Sequence, residues 1–189
     1  MRFGAESRKT IVYRARSGAA AAGHAFATGP SRRNARCGTV QLMTRTYRFS
    51  SDPSEIDVPR VVAWLSQESY WAQGRTVETH RAAMAGSRNY GAYDPESGAQ
   101  VGSARDITDG VTFGWLCDVF VDPDLRGAGV GSALMSGVID DLAPLNLKRT
   151  ALFTDDGHGL YERFGFEPLA DAGSWMLRWG PGFGPQPPE

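Results

Sequence analysis

The sequence has little of what marks membrane, disulfide-rich or metal-binding proteins. No apolar run approaches the length that a membrane span needs. The two cysteines, Cys37 and Cys117, lie in very different contexts, so a disulfide framework is not expected and a reducing compartment is favoured. The three histidines have no ligand spacing with one another or with cysteine. We therefore expect a cytoplasmic protein without a membrane segment or a metal.

Acidic side chains are nearly absent from the start of the chain. Residues 1–42 carry eight basic side chains against one acidic, Glu6, whereas the remaining residues carry twelve against twenty. This Arg-, Ala-, Ser- and Gly-rich extension lacks sustained periodicity, so we expect it to be disordered. Translation that starts at Met43 is the favoured explanation, followed by an organelle transit peptide and then by a basic nucleic-acid tail. The Gly/Pro-rich residues 181–189 are also expected to be disordered, which leaves one domain at 43–180.

Hydrophobic periodicity and turn residues predict an alternation of strands and helices in this domain. Asp57 and Thr76 are the expected N-caps of two early helices, and Asp109-Gly110 is a strong hairpin signal. The first half is predicted to contain a strand at 46–49, the two helices, and strands at 89–93 and 100–107. A strand from Val111 then leads into the stretch described next, which ends in a helix. A buried strand at 149–154, a helix capped by Asp155 or Asp156 and ended by Gly165, and a hairpin of 166–169 and 174–179 complete the predicted order.

The most informative stretch is Leu116 to Leu142, where an apolar strand runs into a glycine-rich turn that opens a helix. Glycines let the backbone approach a ligand closely, and a helix N-terminus offers unpaired N–H donors and partial positive charge. Arg126 adds a fixed charge and a fork of donors. The stretch predicts a phosphate site, with a loop that only changes direction as the alternative. It matches neither the G-x-G-x-x-G dinucleotide fingerprint nor the Gly-Lys-Ser/Thr of a nucleotide P-loop.

The stretch contains the pattern V-x-P-x-x-R-G-x-G-x-G, as Val121, Pro123, Arg126, Gly127, Gly129 and Gly131. This pattern resembles the acyl-CoA signature of the GNAT superfamily of acyl-CoA-dependent N-acyltransferases. Downstream, the segment Leu160 to Phe166 is similar to the LYExxGF segment that closes the CoA site in many members, and the resemblance covers about residues 46–179. It implies an α/β (α+β) fold with a central mixed, mostly antiparallel sheet of about seven strands and about four flanking helices.

The resemblance also implies where acetyl-CoA would bind as cosubstrate. Backbone groups of Val119, Phe120 and Val121 would bind the pantetheine chain and the thioester oxygen. Tyr161 would protonate the departing thiolate, although it could instead only pack against the cofactor chain. The residues implied for the pyrophosphate are Arg126, Gly127, Ala128, Gly129, Val130, Gly131 and Ser132.

The acceptor side of the site is less closely specified. In the superfamily the loop between the first two helices forms part of the acceptor wall, so Tyr70, Trp71 and Arg75 are candidates for amine recognition, or else they cover the edge of the core. Asp118 points to the opposite strand face from Val119 and is a candidate general base, with Asp106 and Glu78 as weaker candidates; equally, Asp118 could bind neighbouring backbone or an arginine. The acidic domain favours a cationic acceptor.

The sequence therefore predicts an acetyl-CoA-dependent N-acetyltransferase that acts on a primary amine of a small molecule or peptide. A catalytically silent CoA-binding regulatory module is the alternative. Nucleic-acid binding would rest only on residues 1–42 and is not expected of the domain. Organelle import would follow if that extension is a transit peptide, and a homodimer is as compatible with the sequence as a monomer.

Overall fold

The computed structural model describes residues 11–14 and 46–180. They form a mixed sheet in which the strands are neighbours in chain order, antiparallel except for the last pair. The strands are β1 Ile11–Arg14, β2 Thr46–Ser50, β3 Arg88–Tyr93, β4 Gln100–Thr108, β5 Phe113–Val121 and β6 Arg149–Ala151. The α-helices are α1 Val58–Glu68, α2 Val77–Ala85, α3 Val130–Leu142 and α4 His158–Tyr161.

The predicted signals at the starts of α1 and α2 and at the hairpin between β4 and β5 are confirmed, whereas α4 begins after Gly157 with no side-chain cap, so the expected cap by Asp155 or Asp156 is wrong. The Asp57 carboxylate accepts a hydrogen bond from the backbone N–H of Arg60 at 3.1 Å, and the Thr76 hydroxyl accepts one from that of Thr79 at 3.2 Å. Each side chain satisfies a donor that the first turn of a helix leaves unpaired. The Asp109 carboxylate accepts hydrogen bonds from three N–H groups, at residues 111, 112 and 113, and so closes the predicted hairpin between β4 and β5.

Two apolar clusters cover the two faces of the sheet. The larger cluster packs α3 against the sheet, and Leu134 and Val138 of α3 are fully buried in it. The smaller cluster packs α1 against the end of β5, where the rings of Trp64 and Phe120 stack at a centroid distance of 5.6 Å. The two helices therefore fix β5 from both sides, which positions the strand that carries the predicted site.

The mixed sheet and four helices match the prediction, but the described residues form six strands where about seven were expected. β6 ends at Ala151 and is half-buried to exposed, so the expected buried strand at 149–154 is wrong in length and burial. The expected hairpin of 166–169 and 174–179 is absent from the described residues, because such a short outer strand offers few ladder groups for another strand. Val111 lies in the exposed hairpin turn, and β5 begins at Phe113.

The N-terminal extension contributes a strand that the sequence analysis missed. Ile11–Arg14 pairs antiparallel with Thr46–Phe49 at the edge of the sheet. The expectation that residues 1–42 form no ordered structure is wrong for these four residues. The rest of that extension and the predicted tail at 181–189 lie outside the described residues.

Asp106 is an acid enclosed in the apolar interior. Its relative exposure is 0%, and neither carboxylate oxygen has a hydrogen-bond partner among the described residues. Burial raises the pKa of Asp106 to about 6; Arg88 opposes the rise and Asp141 adds to it. Arg88 is itself paired with Asp141 at 2.7 Å, so its charge compensates that of Asp106 only in part.

Replacing Asp106 with asparagine is expected to raise the free energy of unfolding at neutral pH by up to about 3 kcal/mol. The folded-state pKa lies above the ordinary value of 3.8, so the folded protein binds this proton more tightly than the unfolded chain does. Wild-type stability should therefore fall as the pH rises from about 4 to about 6 and remain lower above that range. Urea unfolding of both proteins across this pH range measures how much more stable the variant is than the wild type, and this difference should shrink towards the acid end. Equal unfolding free energies of variant and wild type at neutral pH would contradict the prediction.

Candidate functional site

The parallel strands β5 and β6 separate along their length. They are paired only at Phe113 with Arg149, Gly114 with Thr150 and Trp115 with Ala151. Beyond this point residues 116–121 of β5 continue to pair with β4, but on the other side they have no strand partner among the described residues. We call this opening between β5 and the chain after β6 the cleft. On this side the backbone N–H and C=O groups of β5 have no ladder partner, so an extended chain could hydrogen-bond to them.

The short helix α4 packs at one wall of the cleft. A Cβ atom placed on Gly131 would lie 3.4 Å from Cδ2 of Leu160 and 3.7 Å from Cγ2 of Val121, so α4, the first turn of α3 and the end of β5 meet closely. Tyr161 is buried and makes an edge-to-face contact with Phe166 at a centroid distance of 5.9 Å. Glycine at 131 keeps the helices close enough to form a continuous wall.

Burial raises the pKa of Tyr161 to about 12, and the nearby groups Asp156 and Tyr70 add to the rise. The hydroxyl therefore stays protonated at neutral pH. A protonated phenol beside the cleft is able to donate a proton to a basic group bound there.

The glycine-rich turn between β5 and α3 has the geometry of an anion cradle. Gly127 and Gly129 have φ values of 79° and 92°, in the left-handed region where glycine is strongly preferred. Gly129 is the N-cap of α3, and no side chain caps the helix, so the N–H groups of its first turn are available to a ligand. Arg126 is exposed beside the turn, and its Nε donates to the Val121 carbonyl at 3.4 Å.

The other residues predicted for this cradle differ in exposure. Gly127 and Ala128 are exposed, and Gly131 and Ser132 are half-buried. Val130 is fully buried in the larger apolar cluster, so only its backbone could contact a ligand. This arrangement of small residues and free donors fits the pyrophosphate of a CoA molecule, with its pantetheine chain directed into the adjacent cleft.

A β-bulge lies in β5 at the mouth of the cleft. Ser103 pairs with Phe120 but Arg105 pairs with Cys117, so β5 contains one residue more than β4 over this interval. Asp118 takes up the extra length with φ 53°, a left-handed conformation that aspartate adopts more readily than most residues. As a result Val119 packs on the α3 face, whereas Asp118 lies under α2. The prediction that these two neighbours point to opposite faces is confirmed.

Asp118 is held by two arginines. Its Oδ2 accepts hydrogen bonds from Nη1 of Arg75 at 2.5 Å and from Nε of Arg105 at 2.8 Å. Burial alone would raise the pKa of Asp118, but the hydrogen bond from Arg75 and the charge of Arg105 hold it below its ordinary value. A carboxylate so engaged is a weak proton acceptor. Its surroundings therefore favour the second role considered for Asp118, the binding of arginine, over that of general base.

The loop between α1 and α2, residues 69–76, is attached to both sides of the cleft. Arg75 contacts Asp118 on β5, and the Tyr70 hydroxyl accepts a hydrogen bond from the N–H of Asp155, in the connection after β6, at 3.2 Å. Tyr70 and Trp71 are 49% and 43% exposed, and their rings form an edge-to-face pair with centroids 4.9 Å apart. The three predicted acceptor residues thus lie in one loop that bridges the cleft.

Comparison with known proteins gives the family. A family model for the acetyltransferase (GNAT) domain matches residues 86–168. FG08082 of Gibberella zeae is 31% identical over 133 residues, which are 61% of this chain and 75% of that protein. The crystal structure of the GNAT-family protein xcc2953 from Xanthomonas campestris pv. campestris is 38% identical with a TM-score of 0.66, over 72% of this chain and 94% of that one. The chain belongs to the GNAT family of acetyltransferases.

A more distant member of the GNAT fold has been solved with ligands. Rv2747 from Mycobacterium tuberculosis, in complex with CoA and NLQ, is 21% identical with a TM-score of 0.55, over 64% of this chain and 72% of that one. At this identity the likeness shows the fold alone. In the part of this GNAT chain that the structure describes, no helix is long and apolar enough to cross a membrane. The same residues contain no group of three or more His, Cys, Asp or Glu side chains that could hold a metal ion.

Sequence reasoning missed two residues of this GNAT site. Arg105 lies on β4 and reaches Asp118 across the sheet, and His80 of α2 is buried in the same polar region. Burial lowers the pKa of His80, with Asp118 opposing the shift, so this histidine is neutral at neutral pH. An arginine in the middle of a predicted strand was the available signal, because a buried charge requires a partner.

The Gly129→Ala variant tests the cradle's backbone. It is expected to lose about 1 to 2 kcal/mol of unfolding free energy, because alanine is strained in the left-handed region, and to bind acetyl-CoA more weakly. Gly159→Ala is the matched control, since a Cβ there meets no atom within 4 Å and alanine favours a helix. Urea unfolding of both variants measures the difference. Equal stabilities would show that residue 129 does not need this conformation.

Proposed function

We propose that the protein transfers an acetyl group from acetyl-CoA to a primary amine of a small molecule or peptide, with Tyr161 as the general acid that protonates the CoA thiolate. The observation that carries the proposal is the cleft between β5 and β6, which opens next to the glycine-rich cradle. Neither feature alone specifies an acyl-CoA ligand. Together they offer an anion site directly next to an unpaired strand edge, which suits a pyrophosphate followed by the amide-bearing pantetheine chain.

In this proposal the backbone of residues 119–121 binds the pantetheine amides and orients the thioester. Arg126 and the six residues that follow it, to Ser132, bind the pyrophosphate, mostly through backbone N–H groups other than those of Arg126 and Ala128, which donate to the carbonyls of Pro123 and Leu125. A bound thioester reacts directly with an amine once the two are aligned, so the chain has mainly to bind, orient and transfer protons. Tyr161 supplies the proton for the sulfur, and its hydroxyl is protonated at neutral pH because burial raises its pKa to about 12.

The acceptor amine would approach from the side of the α1–α2 loop. Tyr70 and Trp71 offer exposed aromatic surface there, and Arg75 connects the loop to the bulge through Asp118. We assign Asp118 a positioning role, because its carboxylate is occupied by two guanidinium groups and its pKa is lowered.

The test is release of the CoA thiol from acetyl-CoA in the presence of a panel of amines, with mass spectrometry of the products. We expect thiol release that depends on the amine and matches, mole for mole, the amine that gains an acetyl group. Binding of acetyl-CoA without thiol release for any amine would contradict acetyl transfer and would favour the CoA-binding regulatory module. Transfer of the acetyl group to a hydroxyl acceptor only would contradict the N-acetyl assignment.

A further inference from the structure

The cluster around Asp118 carries an excess of positive charge. Arg75 and Arg105 share one carboxylate oxygen, and among residues 46–180 neither arginine forms an ion pair with a second acid. His80 lies close by, but it is neutral and does not change the net charge of the cluster. Two guanidinium groups against one carboxylate leave one unit of positive charge in a largely buried place, and such charge is costly unless an anion compensates it.

The two arginines differ in what their remaining donors do. Nη1 of Arg105 donates to the Ala83 carbonyl at 3.4 Å and to the Ser87 hydroxyl at 3.1 Å, and its side chain is 10% exposed. Within the described part of the chain the guanidinium group of Arg75 has no hydrogen-bond partner other than Asp118, and the side chain is 19% exposed. A guanidinium group has five N–H donors in a planar fork. Arg75 therefore keeps donors that a further anion could use.

Arg75 also lies on the proposed acceptor side of the cleft. It belongs to the loop that carries Tyr70 and Trp71, and it contacts Asp118, the residue directly before Val119, whose backbone is proposed to orient the thioester. Because the Cα atoms of adjacent residues are about 3.8 Å apart, an anion bound to Arg75 would lie near the proposed position of the thioester. A small amino acid or an aminoalkyl phosphate carries its amine and its acidic group at such a short separation.

We infer that the acceptor is an amine with an anionic group, a carboxylate or a phosphate, close to the amino nitrogen, and that Arg75 binds this group. The inference rests on the proposed acetyl transfer and specifies its acceptor. It differs from the cationic acceptor that the net charge of the domain favours. Contacts within a few ångströms outweigh distant surface charges, which salt screens over about 10 Å.

Matched pairs of amines test the inference in the wild-type protein. One arm compares amino acids with their carboxamides, and the other compares aminoalkyl phosphates with the corresponding amino alcohols, each with acetyl-CoA. We expect kcat/KM for the anionic member to exceed that for its neutral partner by about tenfold to a hundredfold, the range for a charge-assisted hydrogen bond. The arm in which this ratio is larger identifies the anion as carboxylate or phosphate.

Variants of the two arginines separate recognition from folding. Arg75→Gln should bring the anionic-to-neutral ratio close to one, and Arg75→Lys should restore part of it, because lysine keeps the charge but loses the fork. Arg105→Gln is the matched control: it breaks a contact to the same carboxylate, so we expect it to change both rates by the same factor and to preserve their ratio. If Arg75→Gln does not fold, the comparison of amine pairs in the wild-type protein still decides whether the acceptor is anionic, and Arg75→Lys tests the role of Arg75.

Each other outcome overturns the inference. Equal rates for the two members of every pair, or a preference for the neutral member, would exclude an anionic acceptor. An unchanged ratio in Arg75→Gln would exclude Arg75 as its receptor. If acetyl-CoA raises the unfolding temperature but no member of any pair is acetylated, the acceptor inference fails while acetyl transfer to other amines stands. If acetyl-CoA does not bind, the proposed function fails as well.

Discussion

Tyr161→Phe is expected to lower kcat by about a hundredfold to ten-thousandfold, the usual contribution of a general acid, while the Kd for acetyl-CoA stays nearly unchanged. The substitution removes only the hydroxyl. The ring can keep its edge-to-face contact with Phe166 and its place in the apolar cluster, so the wall of the cleft is preserved. Because burial raises the pKa of Tyr161 to about 12, the wild-type hydroxyl is protonated at neutral pH and ready to donate.

Steady-state kinetics measures kcat of the variant and the wild type, and calorimetric titration measures their Kd for acetyl-CoA. Tyr93→Phe is the matched control: it loses a hydroxyl that donates to the Glu55 carbonyl at 2.9 Å, in a part of the sheet away from the cleft, and should keep the wild-type kcat. Full activity of Tyr161→Phe would contradict the general-acid role and leave Tyr161 as a packing residue.

Asp118→Asn is expected to cost about 3 to 5 kcal/mol of unfolding free energy, because it leaves two partly or fully buried guanidinium groups without their carboxylate. Asp118 is 6% exposed, and both arginines contact the same oxygen. The pKa of Asp118 lies below its ordinary value, so its stabilising contribution is present above about pH 4 and is lost as the pH falls below that. The difference between variant and wild type should therefore narrow in acid.

Urea unfolding at neutral and acid pH measures this difference. The control is Glu55→Gln, which breaks the Arg48–Glu55 pair, whose side chains are 32% and 37% exposed; it should cost less than about 1 kcal/mol. Equal losses for the two variants would mean that Asp118 is not an essential partner of the arginines.

The parts of the structure that short-range chemistry determines were predictable. Asp57 and Thr76 each cap a helix within three residues of their own position, and Asp109 closes its turn within four. The cradle is also a local feature, since Gly127 and Gly129 adopt the left-handed backbone conformation that strongly favours glycine. Such features depend only on residues that are neighbours in the sequence, so they can be predicted from local sequence patterns.

The features that were missed depend on contacts between distant residues. Arg75 and Asp118 are 43 positions apart, and no local pattern indicates that they meet. The bulge at Asp118 requires a comparison of β5 with β4, because only the pairing register reveals the extra residue. Ile11–Arg14 becomes a strand through its ladder with β2, within an extension whose composition suggests disorder.

The predicted C-terminal hairpin shows the converse error. The segment 174–179 contains Trp175, Leu177 and Trp179 at alternate positions, a pattern typical of a half-buried strand. All three side chains are exposed in the structure. A strand needs a partner edge as well as a pattern, and β6, with three residues, provides little of one.

Thermal unfolding of the full chain with an excess of acetyl-CoA, CoA, NAD or ATP tests the central claim, that the cradle and the cleft together form an acyl-CoA site. A ligand at about a hundred times its Kd adds roughly 2.7 kcal/mol of stability. We expect a rise in unfolding temperature with acetyl-CoA and with CoA, and none with NAD or ATP. If neither acetyl-CoA nor CoA raises the unfolding temperature, the glycine-rich turn from Arg126 to Gly131 only redirects the chain, and the proposed function is contradicted.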